Sequence, residues 1–219
     1  MASTSEGDGM DLINWYYQRR MLNAMVQNKW TEAEHFTRKL IRHRGASVGL
    51  VYNLALITLG SGRTQEAYAQ LLESVETYGE SLRLCRLLGD IAYLDGKRQE
   101  SLQWYGKAED EAQSPKELHL IRMRLKILSD PDWYGRVLGI LSLVDQAQQA
   151  MEKEPNRAWD LYRKVVLEDP SQVEALNNLG VLELEHFHHA EQACTYFQKV
   201  LDLVDHQGAA RNLAKARKA

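Results

Sequence analysis

Apolar and small residues recur along this chain in slots that repeat every thirty-four residues. Between Val51 and Ala108 the pattern stands twice. Leu54, Ala55, Thr58, Gly62, Glu66 and Ala67 answer to Leu88, Gly89, Ala92, Gly96, Glu100 and Ser101. One step further back, Ala24, Glu32 and Ala33 fall in the same slots. Within each copy the apolar positions lie three and four apart, which places them on one face of an α-helix. A fixed period of this length marks stacked supersecondary units, each burying its apolar face on its neighbours.

The spacing predicts helix pairs. A helix with Trp15, Leu22, Met25 and Val26 gives way at Asn28-Lys29 to one that buries Ala33, Phe36, Leu40 and Ile41. Thr31 reads as the cap of that second helix, with Glu34 closing a capping box. In the next pair Val51, Leu54, Ala55 and Thr58 precede a turn at Gly60-Ser61-Gly62. Thr64 then caps a helix with Ala67, Leu71 and Val75 inward. The third pair carries Cys85, Leu88, Gly89 and Ala92, turns at Asp95-Gly96, and buries Ser101, Tyr105 and Ala108. Ala55, Gly89, Ala67 and Ser101 are placed where helix axes cross, since axes about 8–10 Å apart leave room only for short side chains.

These pairs are units 14–47, 48–81 and 82–115, preceded by a small, polar stretch over 1–13 expected to be a disordered tail. The register then drifts over 116–154. Ser114-Pro115-Lys116-Glu117 starts a helix with a capping box and an N1 proline. Asp130-Pro131-Asp132 ends it. From about Asp132 to Lys153 no strong stop occurs, and one long helix of about 30 Å is expected. Register returns over 155–207. Ala158, Tyr162 and Val165 lie on one helix, Ser171 and Glu174 open the next, which carries Leu176, Leu179 and Gly180, and Ala193, Phe197 and Val200 mark its partner. Residues 208–219 read as a C-terminal capping helix anchored by Leu213.

Composition agrees with an all-α chain: only 8% of residues are aromatic and four are prolines, a profile that favours helices over a sandwich or barrel. A net charge of −3 gives no basic footprint, so no nucleic acid partner is expected. The clusters Arg38-Lys39 with Arg42-His43-Arg44, and Arg211, Lys215, Arg217 and Lys218, suit helix C-termini. The longest apolar run, Val137–Val144, is too short to span a bilayer. The start MASTSEGDG lacks a basic and apolar leader. A cytoplasmic protein with no membrane partner is therefore expected. Cys85 and Cys194 read as reduced core thiols. His186, His188 and His189 with Glu183, Glu185 and Glu191 lack the converging geometry of a zinc site and read as a solvated turn. No nucleophile elbow, phosphate loop or zinc-protease motif occurs, so neither catalysis nor a metal or other cofactor is expected.

Leu88-Gly89, Gly96, Ser101, Tyr105 and Ala108 stand at the spacing of tetratricopeptide repeats. So do Leu179-Gly180, Ala193, Phe197 and Val200, with a turn one residue longer, and Ala158, Tyr162, Val165 and Pro170. The chain resembles that family over 14–115 and 155–207. Met21 departs from the pattern where the family prefers glycine. The resemblance implies a right-handed α-α superhelix whose first helices line a concave groove that holds peptides or partner proteins. It places Trp15, Arg19, Tyr52, Asn53, Leu56, Arg83, Arg86, Asp90, Tyr93, Asn177 and Asn178 in that groove. Of the five-residue carboxylate clamp found in some members, Asn53 and Arg83 match, while Gln18, Leu22 and Leu87 do not. The implied function is a non-catalytic peptide- or protein-binding scaffold. The alternative is a module that self-associates through its ends or its irregular middle, motivated by the apolar run Val137–Val144.

Overall fold

In the computed structural model the described residues are 5–219, with side chains described from Leu12 onward. Among the described residues thirteen α-helices follow one another and there is no strand. The helices gather into two units, Met1–Ile91 and Ala92–Ala219.

In the first unit α1 (Ser5–Val26) pairs with α2 (Trp30–Arg44), and α3 (Val48–Gly60) pairs with α4 (Thr64–Tyr78). Helix α2 packs on α3. Met21 and Ala24 of α1, Ala33, Phe36 and Leu40 of α2 and Ile57 of α3 share one core. Helix α5 (Leu82–Leu94) buries Leu84, Cys85, Leu88 and Ile91. Helix α1 begins at Ser5, inside the segment 1–13 expected to be a tail. Residues 1–4 lie outside the described residues.

The thirty-four-residue period is written into the turns. Asn28, Gly62 and Gly96 each adopt positive φ, at 56°, 79° and 75°. The next N–H, of Lys29, Arg63 and Lys97, donates to the carbonyl of Ala24, Thr58 and Ala92 at 2.9, 3.1 and 2.9 Å. This is the six-to-one bond of a Schellman turn, and its left-handed residue favours glycine or asparagine because a Cβ crowds the following carbonyl. The same geometry corrects two expected caps. Lys29 and Arg63 are the N-cap residues of α2 and α4 and make no side-chain cap bond. The Schellman closure starts the next helix so early that Thr31 and Thr64 already lie inside it. Ser171 does not cap either: Gln172 is the N-cap of the helix beginning at Val173, and Ser171 turns to Asp169. Ser114 behaves as expected, forming a capping box with Glu117.

The second unit contains the end of α5 and then α6 (Arg98–Glu111), α7 (Pro115–Ser129), α8 (Pro131–Ile140), α9 (Ser142–Ala150), α10 (Pro155–Glu168), α11 (Val173–Glu185), α12 (Ala190–Leu203) and α13 (Gln207–Ala216). The single long helix expected over 132–153 is not present. It is split at Leu141, where Leu141 N–H donates to Leu138 and Val144 N–H to Leu141 in tight three-residue turns. Gly135 and Gly139 weaken helical continuity just ahead of the break. The bend lets Ala147 and Ala150 of α9 meet Ala158, Tyr162 and Val165 of α10 in one core. Helix α9 is thus the partner of α10, and paired packing resumes at Ser142 rather than at 155. Helices α11 and α12 form the next pair, closed so tightly that a Cβ on Gly180 would stand 2.6 Å from the Phe197 ring. Helix α13 packs on α12 through the buried Leu213.

Helix α7 departs from nearest-neighbour stacking, because it packs on α6, α8 and also α12. At the centre of this arrangement Asp169 is wholly buried. Its carboxylate accepts from the Tyr93 hydroxyl at 3.1 Å and from Ser171 N–H at 3.0 Å. Arg124 of α7 lies 4.0 Å from the same carboxylate and stacks 4.0 Å above the Tyr93 ring. Tyr134 donates to the Tyr93 carbonyl at 2.5 Å. Burial lifts the Tyr93 phenol well above its ordinary value, against the opposing pull of Arg124 and with the Asp169 charge adding to it. Burial likewise pushes Tyr134 up to about 12, so both hydroxyls stay protonated and donate.

Candidate binding surface

Helix α1 turns its Tyr17, Met21, Ala24 and Met25 face toward α2. The opposite face carries Leu12, Trp15, Arg19, Leu22 and Val26, alternately three and four apart, so they form one stripe along the helix. All five are exposed, and Val26 reaches 85%. The Arg19 guanidinium lies 5.3 Å above the Trp15 ring and has no ion-pair partner among the described residues. A helix whose two faces are both apolar, with only one of them packed, leaves a strip of surface suited to contact.

The other first-helix candidates of this unit differ in availability. Tyr52, Asn53 and Leu56 are half-buried on α3, beside the fully buried Ala55, Ile57 and Thr58. Arg83 is exposed on α5, and among the described residues no ion pair engages it. Arg86 and Asp90, half-buried, face each other one helical turn apart at 4.0 Å. That contact makes Arg86 a weaker attractor for an outside carboxylate than Arg83, because part of its charge is already answered.

Three candidates fall in the second unit. Tyr93 is not a surface residue: it is fully buried and bonded to Asp169, so its assignment to a groove is corrected. Its register in the repeat points to a groove, but Arg124 of α7 stacks over its ring. Asn178 donates to the Tyr162 hydroxyl at 2.8 Å and to Gln148 at 3.1 Å, a network joining α9, α10 and α11. Asn177 is half-buried, and its side-chain carbonyl oxygen, itself buried, has no hydrogen-bond partner among the described residues. The Asn177 oxygen is sealed from solvent and offers a ligand nothing, and the Asn178 amide serves the fold.

Around the turn after α11, the buried Glu183 accepts from Trp159 Nε1 at 2.7 Å and lies 2.9 Å from His189 Nδ1. His188 takes the left-handed position of this longer turn, with φ 59°. Glu183 and His189 are thus engaged in closing the α11–α12 turn, while Glu185 pairs with Lys215 of α13. Among the described residues no three acidic, histidine or cysteine side chains converge as metal ligands. Among them, too, no helix is long and apolar enough to cross a membrane.

No family model matches the chain and no curated protein is significantly similar to it. Among solved structures it is similar to MamA protein, at 15% identity over 93% of this chain and 94% of that one, with a TM-score of 0.47. YrrB, described as a TPR protein with an unusual peptide-binding site, is 16% identical over 93% and 91% of the two chains, with a TM-score of 0.43. The TPR2AB domain of yeast Sti1, in a complex with pHSP90, is 15% identical over 97% and 84%, with a TM-score of 0.47.

Proposed function

We propose, for an all-α chain built of tetratricopeptide-like helix pairs, that the protein is a non-catalytic scaffold holding a peptide or protein segment on the first-helix face of its N-terminal unit. The observation that carries this reading is the exposed stripe on α1, Leu12, Trp15, Leu22 and Val26, with Arg19 at its middle and without an ion pair among the described residues. Aromatic and arginine side chains of this kind are the usual anchors of protein contacts. Arg83, exposed and without an ion pair among the described residues, adds a second guanidinium fork for a carboxylate. The ligand that fits is a helical or extended segment with apolar side chains and at least one acidic one. A cytoplasmic setting belongs to the same reading.

The self-association alternative loses its original motive. Val137 is wholly buried, and Ile140, Leu143 and Val144 pack against the core shared by α9 and α10. Pairing of α1 with a second α1 in antiparallel register would set Arg19 against Arg19, because Arg19 lies midway between Leu12 and Val26. Like charges facing each other are unfavourable, which favours an acidic partner over a second copy.

The test is affinity capture with the intact protein, followed by affinity measurements on each captured partner with Trp15→Ala and Arg83→Glu. Each variant should weaken binding about tenfold or more, with an unchanged melting temperature, because both side chains are exposed. Full affinity in both variants for every partner overturns this reading. A solution mass of twice the monomer that Leu22→Glu returns to the monomer would favour self-association instead.

A further inference from the structure

Helices α10 and α12, the second members of their pairs, leave between them a cleft of about 380 Å³. Arg163, Lys164 and Leu167 of α10 line one side and Tyr196 and Lys199 of α12 the other, with Val166 between. Arg163, Lys164 and Leu167 form the face of α10 opposite the buried Ala158, Tyr162 and Val165. Leu167 is 80% exposed. Among the described residues Asp160 is the one carboxylate lining the cleft, so three cations against one anion leave a local charge of +2 on a chain whose net charge is −3. None of these four charged side chains is ion-paired among the described residues.

The cations are held in place from below. Arg163 stacks 4.6 Å over Trp159, and Lys199 lies 5.5 Å from the Tyr196 ring centre. Trp159 is in turn fixed by its bond to the buried Glu183. The cleft therefore combines preorganised positive charge with an exposed aliphatic rim. Burial raises the Tyr196 phenol, Glu183 adds to the shift and Arg163 opposes it, so the hydroxyl at the cleft wall stays a donor. Nucleic acid would need aromatic faces open to stacking bases, and here cations already occupy a face of both Trp159 and Tyr196.

We propose that the α10–α12 cleft is a second binding site, for a peptide segment in which an aliphatic side chain lies beside one or two carboxylates. The aliphatic group covers Leu167 and Val166, and the carboxylates bridge Lys164 and Lys199 with Arg163 behind them. This site is independent of the α1 stripe and takes its partner on second helices rather than first.

The probe is a short fluorescein-labelled peptide of alternating leucine and glutamate, titrated into the full chain by fluorescence anisotropy. Saturable binding is expected, weakened roughly tenfold or more by Lys164→Glu with Lys199→Glu and several-fold by Leu167→Ser, the loss expected when charge-assisted and apolar contacts go. The binding should persist in a protein carrying Trp15→Ala and Arg83→Glu, which removes the first-helix site, and backbone amide shifts in that protein should cluster on α10 and α12. All substituted side chains are exposed, and melting curves verify that the variants fold. No saturable binding, or amide shifts elsewhere, overturns the proposal. So does equal affinity for a single-stranded oligonucleotide together with indifference to Leu167→Ser, which would make the cleft a general polyanion surface.

Discussion

The carboxylate of Glu34, on α2, meets the guanidinium of Arg63, the residue that caps α4, at 2.5 Å. One contact thus ties the first helix pair to the second. Burial works against the ionised form of Glu34, but bonds from Arg38 and Arg63 outweigh it and hold the carboxyl below its ordinary 4.5. The unfolded chain therefore binds more protons than the folded one in the window just below that value, and stability rises with pH there. The contribution is complete above the ordinary glutamate value and is lost as pH falls through the depressed one. Replacing Glu34 with Gln should lower the melting temperature by roughly 1–3 °C at neutral pH, as expected of a pair still partly open to solvent. The gap between the two proteins should close on acidification. A gap that stays constant down to about pH 3 would show that the ion pair is not its source.

Gly180 should not accept a side chain. Its Cβ would lie 2.6 Å from the Phe197 ring, and Phe197 is itself fully buried. Gly180→Ala is expected to cost about 1–3 kcal/mol through overpacking. Gly106, in the middle of α6, has nothing within 4 Å of its Cβ position, and Gly106→Ala should instead stabilise by about 0.5–1 kcal/mol. Urea titrations with unchanged slope distinguish the two, and equal effects of the same sign would refute the packing account.

Asp169 is expected to be the most sensitive position of the second unit. It is wholly buried between Tyr93, Ser171 and Arg124. Asp169→Ala leaves the Arg124 charge without its carboxylate and should cost about 3–5 kcal/mol. Tyr93→Phe removes one hydrogen bond and should cost about 1–3 kcal/mol. The two losses should be less than additive, because the residues share one network. Strict additivity in chemical denaturation would mean that Tyr93 and Asp169 act independently.

Ala67 and Arg83 separate packing from surface chemistry. Ala67 is fully buried at the crossing of α3 and α4, and a leucine there should cost about 1–3 kcal/mol. Arg83→Glu should leave the melting curve where it is. A destabilised Arg83→Glu protein would mean that this side chain supports the fold.

The helix pairs were legible from sequence because their constraints are local. Asn28, Gly62 and Gly96 announce a left-handed turn residue, and Ala33, Ala67 and Ser101 announce a close crossing, whatever the rest of the chain does. Ser114-Pro115-Lys116-Glu117 was readable for the same reason. Register alone misplaced Tyr93, since the residues that bury it, Arg124 and Asp169, lie outside its own repeat. The break at Leu141 carries no proline or left-handed residue; it follows from the need of Ala147 and Ala150 to reach α10. Thr31 and Thr64 look like caps in isolation, and only the closing bond of the preceding turn removes them from that role. The cationic cleft could not be read at all, because Arg163, Lys164 and Lys199 meet only after α10 and α12 are set side by side.

The hydrogen bond from Tyr93 to Asp169 spans 76 residues. Helix hairpins close loops of a few residues and form on the microsecond scale, but a closure of this length carries a larger entropy loss and belongs to a later event. During synthesis the first unit can assemble while the second waits for α10 to emerge, with Tyr93 meanwhile lacking its partner. Refolding should accordingly be biphasic, with helicity gained ahead of the amide-exchange protection around Tyr93. The lock that hides this tyrosine also makes the second half of the chain fold all at once, where a simple stack of neighbours could fray from its end.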